Sequence, residues 1–301
     1  MNSKNQRLDG LWLPLITPFQ NGEIDELSFR RLLQHYATEP INGFILAATT
    51  GEELTLEERE IESLSLMARE ELSSIKRDLP IYVGVSGSDT RRMGQLLYRR
   101  NDWLIDGYLV SCPHYSRPQQ KGLFQHFSHL ADQTDKPIII YNIPYRTGVN
   151  MANDTLLQLA EVNNIIGVKD CCAVKEQSLA LMANHPIDFS VLTGEDDFIL
   201  EAVQKGASGA ISASAHIHTS AFANTIGTGR AGKISEANRH WQQVVQLPKL
   251  IFAEVSVAAI KHWLWKAGLI NSQEVRLPLT PVSSDLARRI EIERAKQAFP
   301  Q

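Results

Sequence analysis

The chain has 301 residues, 43% hydrophobic and 21% charged, ordinary proportions for a globular protein that exclude disorder, a collagen-like repeat and a coiled coil. Thirty Lys and Arg against 34 Asp and Glu leave a net charge of −4, which supplies no field for nucleic acid or another polyanion. Apolar runs such as GFILAA at 43–48 fall far short of the roughly 18 residues a membrane span needs.

The first ten residues, MNSKNQRLDG, are polar and lack the apolar segment and cleavage site of a secretory signal, so a cytoplasmic protein is expected. Short apolar runs bounded by Gly, Pro or Asn then recur at 11–16, 43–48, 81–85, 107–110, 137–141, 165–168, 190–192 and 209–212. Between most of them lie helix-period stretches. Asp25 precedes a helix with Phe29, Leu32, Leu33 and Tyr36 on its apolar face. TLEE at 55–58 reads as a capping box opening a helix with Ile61, Leu64, Leu66 and Met67 on its stripe. Eight near-continuous apolar strands alternating with helices predict a (β/α)8 barrel, with an open doubly wound sheet as the rival. After about residue 222 the strand signal stops and 234–267 reads as helix, with a turn at 277–281 and a last helix from Ser284. The expected division is a barrel over 1–224 and a C-terminal helical domain over 225–301.

In such a barrel the active site lies where the strands end at their C-termini. The second strand ends in ATTGE at 48–52, two hydroxyls and a glycine before a helix, where free backbone N–H groups favour an anion such as a carboxylate. The fifth ends in YNIPYRTG at 141–148 and the sixth in GVKD at 167–170. A lysine at the end of a buried strand is paired, snorkels to solvent, or is held partly neutral for use as a nucleophile. An amine attacking a ketone needs its own proton removed, a relay for the carbinolamine and a cradle for the substrate carboxylate. Lys169, Tyr141 and the Thr49–Thr50 turn supply these from three strand ends.

The motifs LPLITPFQNGEID at 13–25, TTGE at 49–52, PHYSRP at 113–118, YNIPYRTG, GVKD, TGEDD at 193–197 and GASGAIS at 206–212 resemble, in order and spacing, those of the pyruvate-dependent Schiff-base lyases, the dihydrodipicolinate synthase and N-acetylneuraminate lyase family. The resemblance implies a (β/α)8 barrel with a C-terminal helical domain, assembled as a homotetramer of two tight dimers. Position by position it implies that Lys169 forms the Schiff base and that Tyr141 relays protons with Thr50 and with Tyr115 from a neighbouring subunit. Thr49, Thr50 and Gly51 would cradle the pyruvate carboxylate. Gly194 and Ile211 would line the pyruvate site, or serve as ordinary turn and core. Arg146 matches the arginine that serves the carboxylate of aspartate semialdehyde in the synthases; a rim ion pair with a nearby acid is its other reading. Retention of Arg146 and Tyr115 favours a synthase joining pyruvate to L-aspartate 4-semialdehyde. The alternative is an aldolase or dehydratase of sugar acids, N-acetylneuraminate or a hydroxyproline-derived acid, and a pyruvate-binding sensor without turnover is a third reading.

Three positions depart from the synthase pattern: Ala48 for a glycine, Glu53 for a small residue and His114 for a tyrosine. Glu53 would repel an acidic partner unless paired or turned away. Where some of these synthases bind inhibitory lysine, this chain has Ser88, Arg92 and His114, which implies little lysine inhibition. No metal or cofactor is expected, because the imine is itself the electron sink. His126 with His129 and His216 with His218 lack a third ligand at a recognisable spacing. The adjacent Cys171 and Cys172 read as buried thiols, and there is no phosphate-binding glycine motif.

Overall fold

Asp25 accepts the Ser28 amide at 3.0 Å and so starts α1 (Glu26–Ala37), whose Phe29, Leu32, Leu33 and Tyr36 are buried as the spacing predicts. The computed structural model describes residues 8–172 and 174–298. Its strands are β1 (Gly10–Pro14), β2 (Phe19–Gln20), β3 (Glu23–Ile24), β4 (Gly43–Leu46), β5 (Ile81–Val85), β6 (Gly107–Ser111), β7 (Ile138–Asn142), β8 (Ile165–Asp170), β9 (Ser190–Thr193) and β10 (Gly209–Ile211). β1 and β4 to β10 close into the expected parallel barrel in the order β1-β10-β9-β8-β7-β6-β5-β4, while β2 and β3 form a small antiparallel hairpin that the sequence reading did not foresee. After α1 come α2 (Glu58–Ser74), α3 (Thr90–Arg99), α4 (Gln120–Ala131), the single turn α5 (Pro144–Thr147), α6 (Asn153–Leu159), α7 (Lys175–Asn184), α8 (Ile199–Gln204) and α9 (Thr219–Arg230). The C-terminal part adds α10 (Ile234–Gln242), α11 (Leu247–Ile251), α12 (Ser256–Lys266) and α13 (Ser284–Ala298). Among the described residues no single helix is long and apolar enough to cross a membrane.

Strand alternation divides the core into two shells. Trp12, Ile45, Tyr82, Leu109, Ile139, Leu192 and Ile211 fill the barrel, and Leu13, Phe44, Val83, Tyr108, Ile140 and Val191 pack outward under the helices. Gly43 is required beside β1, because a Cβ there would stand 2.4 Å from the Trp12 ring.

Several expectations need correction. The capping box at 55–58 does not form: the Thr55 hydroxyl donates instead to the Glu52 carbonyl, and Glu57 caps α2 reciprocally with Glu60. Leu66, assigned to the buried stripe of that helix, is 47% exposed. The run 43–48 stops being strand at Leu46, because Ala47 turns to φ 44°. The continuous helix over 234–267 is three helices, interrupted at 243–246 and 252–255; Pro248, in the first turn of α11, has no N–H to carry α10 through the first break.

Candidate active site

β7 and β8 set the reactive pair. Their pairing slips by one residue between Ile138 and Ile139, so that Ile166 and Gly167 together oppose Ile139. Strand side chains alternate faces, so this bulge turns Lys169 inward beside Tyr141, its register partner, rather than outward beneath the helices. The Lys169 nitrogen lies 4.3 Å from the centre of the Tyr141 ring, and both residues are 6% exposed. Among the described residues Lys169 makes no ion pair within 4.0 Å, so it is neither paired nor snorkelling.

Burial lowers the Lys169 pKa from its ordinary value; Asp196 and Glu195 oppose that shift and Arg146 adds to it. The Tyr141 phenol is pushed well above its usual range by burial, with the Arg146 charge working the other way. The Cys171 thiol beside them is also raised by burial and stays neutral. A partly neutral amine next to a protonated phenol is what imine formation and its proton transfers require.

Gly194 is fitted to this lysine, because a Cβ would stand 2.5 Å from Lys169 Cε and 2.4 Å from Cys171 Sγ. The Thr49–Gly51 segment is a 3-10 turn following extended Ala48, with Thr50 and Gly51 buried. Thr17 donates to the Gly51 carbonyl at 2.8 Å and ties the turn to the end of β1. A small cavity of about 20 Å³ brings together Lys169, Tyr141, Thr49, Thr50, Arg146, Gly194 and Ile211, joined by Tyr145, Ala213, Phe252 and Ser256. It shares Thr49, Tyr141, Tyr145, Arg146 and Ser256 with an outer cleft of about 470 Å³.

Arg146 rides on α5, which opens with Pro144 and ends at Gly148 in the left-handed region. Its guanidinium lies 5.8 Å from the Tyr145 ring, and among the described residues it has no acid within 4.0 Å, so the rim ion pair is not made. Tyr115 lines neither space: it is 93% exposed, at φ 68°, with its N–H donating to the Thr147 carbonyl. The extra carboxylate of Glu53 is engaged, accepting from the Ser86 N–H at 2.6 Å and the Ser86 hydroxyl at 2.5 Å. Burial raises its pKa, while the two Ser86 hydrogen bonds work the other way.

His126 and His216 have structural partners. His126 Nδ1 lies 2.8 Å from the Thr90 hydroxyl, and His216 Nε2 accepts from the Ile16 N–H at 3.3 Å. Cys112, Cys171 and Cys172 are buried free thiols.

The sequence reading missed Asp196, a buried carboxylate accepting from the Ser214 N–H at 2.6 Å and close enough to Lys169 to act on its charge. An acid in TGEDD just past a strand end was a usable signal. It also missed Phe252 and Ser256, which reach the site from the C-terminal helices, and for these no local signal existed.

The sequence pattern of the dihydrodipicolinate synthetase family matches residues 7–296. 4-Hydroxy-tetrahydrodipicolinate synthase 2 of Clostridium acetobutylicum is 39% identical over 284 residues, 94% of this chain and 98% of that protein. Dihydrodipicolinate synthase of Aquifex aeolicus superposes with a TM-score of 0.91 at 30% identity, covering 97% of this chain and 99% of that one. The dihydrodipicolinate synthase of Acinetobacter baumannii, solved in complex with pyruvate, superposes with a TM-score of 0.91 at 28% identity over 96% of this chain and 99% of its own. With the family pattern spanning nearly the whole length and the barrel closed around Lys169, this chain belongs to the dihydrodipicolinate synthetase family.

Proposed function

We propose that this enzyme is a class I Schiff-base lyase that condenses pyruvate with L-aspartate 4-semialdehyde, the 4-hydroxy-tetrahydrodipicolinate synthase reaction of lysine biosynthesis. The observation that carries it is Lys169, buried without an ion-pair partner among the described residues and 4.3 Å from the Tyr141 ring at the barrel mouth. The neutral amine attacks the pyruvate ketone, water leaves, and the imine draws electrons from the methyl carbon so that a proton can be removed there. The enamine carbon then bonds to the aldehyde. Tyr141 moves protons with Thr50 and with the Tyr115 of a second copy, and the Thr49–Gly51 turn holds the pyruvate carboxylate. Gly194 and Ile211 shape the pyruvate side of the cavity, and Arg146, with no acid of its own among the described residues, takes the carboxylate of the aldehyde.

The names of the relatives and the pyruvate complex of the A. baumannii enzyme support this choice of substrates. Tyr115, exposed and lining neither space of its own chain, supports a homotetramer of two tight dimers in which each site borrows it. Purified protein should turn over pyruvate with aspartate semialdehyde far faster than it cleaves a panel of 2-keto-3-deoxy acids. The reverse preference would assign the aldehyde site to a sugar-acid aldolase.

A further inference from the structure

Across the ends of β6, β7 and β8 the pairing runs Ser111 to Tyr141 and Tyr141 to Lys169, so three adjacent strands carry a hydroxyl, a phenol and an amine on one rung. Ser111 stands two residues beyond the inward-facing Leu109, so it too faces the barrel. It is 6% exposed, and among the described residues its Oγ has no hydrogen-bonding partner. Buried hydroxyls are rarely left so, because stripping water from one without replacement costs about 1–3 kcal/mol. The residue lines the outer cleft with Thr49, Tyr141 and Arg146, on the side from which an aldehyde held by Arg146 must approach. A serine has three staggered χ1 wells, which gives the hydroxyl several directions to meet a ligand there.

We propose that Ser111 is a further catalytic residue whose hydroxyl donates a hydrogen bond to the carbonyl oxygen of the incoming aldehyde as that oxygen becomes an alkoxide. The inference rests on the reading of Lys169 and Tyr141 above. In the step concerned, the enamine carbon forms a bond to the aldehyde carbon and the enamine nitrogen becomes an iminium. The carbonyl π pair passes to oxygen, which takes the Tyr141 proton. The iminium charge balances the phenolate until solvent returns that proton. Ser111 exchanges no proton; it stabilises the developing charge, as an oxyanion donor does.

Two variants, Ser111→Ala and Ser111→Thr, test this with two readouts: borohydride trapping with pyruvate alone, and kcat/KM for aspartate semialdehyde. Ser111→Ala should trap pyruvate at the parental rate while kcat/KM for the aldehyde falls about 10²-fold. Ser111→Thr, which keeps the donor, should recover most of that loss. Parental aldehyde kinetics in Ser111→Ala, or an equal loss of trapping and turnover, would overturn the proposal while leaving the Schiff-base reading intact. Failure of the unmodified protein to trap pyruvate would overturn that reading, and this proposal with it.

Discussion

Glu52 and Lys261, 209 residues apart in the chain, form an ion pair at 2.5 Å with both side chains fully excluded from solvent. Glu52 directly follows Gly51 and is left-handed at φ 58°; its second oxygen accepts from the Arg276 N–H at 3.0 Å. Lys261, on α12, also donates to the Glu274 carbonyl at 2.7 Å and lies 4.1 Å from the Phe19 ring. Burial lowers its pKa to about 8, against the opposing pull of Glu52. The pair thus fastens the C-terminal helices to the turn that carries Thr49 and Thr50.

Breaking such a pair strands a buried charge, so Lys261→Met should cost about 3–5 kcal/mol of stability in chemical denaturation. Adding Glu52→Gln removes the stranded carboxylate yet keeps an acceptor for Arg276, and should recover a large part of that loss. A double variant whose cost is the sum of the singles would mean that the two side chains are not coupled.

Gly194→Ala places a methyl group 2.5 Å from Lys169 Cε and 2.4 Å from Cys171 Sγ, closer than either atom tolerates. The lysine must swing off its Tyr141 alignment, and a displacement on the ångström scale costs roughly 10²-fold in rate. We expect the pyruvate trapping rate to fall by about that factor with the circular dichroism spectrum unchanged. An unaltered rate would show that the stem has room to spare.

Asp196 opposes the burial that lowers the Lys169 pKa. Only the neutral amine is nucleophilic, so the trapping rate rises with pH up to that pKa. Asp196→Asn keeps an acceptor for the Ser214 N–H and removes a negative charge that favours the ammonium. The acid limb of the pH–rate profile should therefore move to lower pH. A shift upward, or none, would place the two groups out of electrostatic contact.

Lysine should inhibit weakly. The positions that match the lysine site of some such synthases hold Ser88 and His114, joined by the Ser88 hydroxyl donating to the His114 carbonyl at 2.6 Å, and the exposed Arg92, a cation where a ligand ammonium would need an acid. A submillimolar inhibition constant would contradict this.

The barrel was legible because parallel strands covered on both faces must be apolar throughout, and runs such as those at 81–85 and 165–168 show it directly. Lys169, Tyr141 and Arg146 were legible because barrel chemistry gathers at strand ends. The Glu52–Lys261 pair was not: it depends on how α12 packs 209 residues away, and neither residue carries a local mark of its partner. The β8 bulge was equally hidden, since a one-residue slip beside Ile166 leaves the apolar run unbroken while deciding which way Lys169 faces. Thr55 misled because the helix begins two residues later, capped by Glu57 with Glu60, which leaves the Thr55 hydroxyl to donate back to the Glu52 carbonyl instead of accepting a helical N–H.

The most direct measurement is borohydride reduction in the presence of pyruvate, followed by peptide mass mapping. A reduced pyruvyl adduct should appear on the peptide that contains Lys169 and vanish in Lys169→Ala. No adduct, or one on any other lysine, would contradict a Schiff base at the mouth of this barrel.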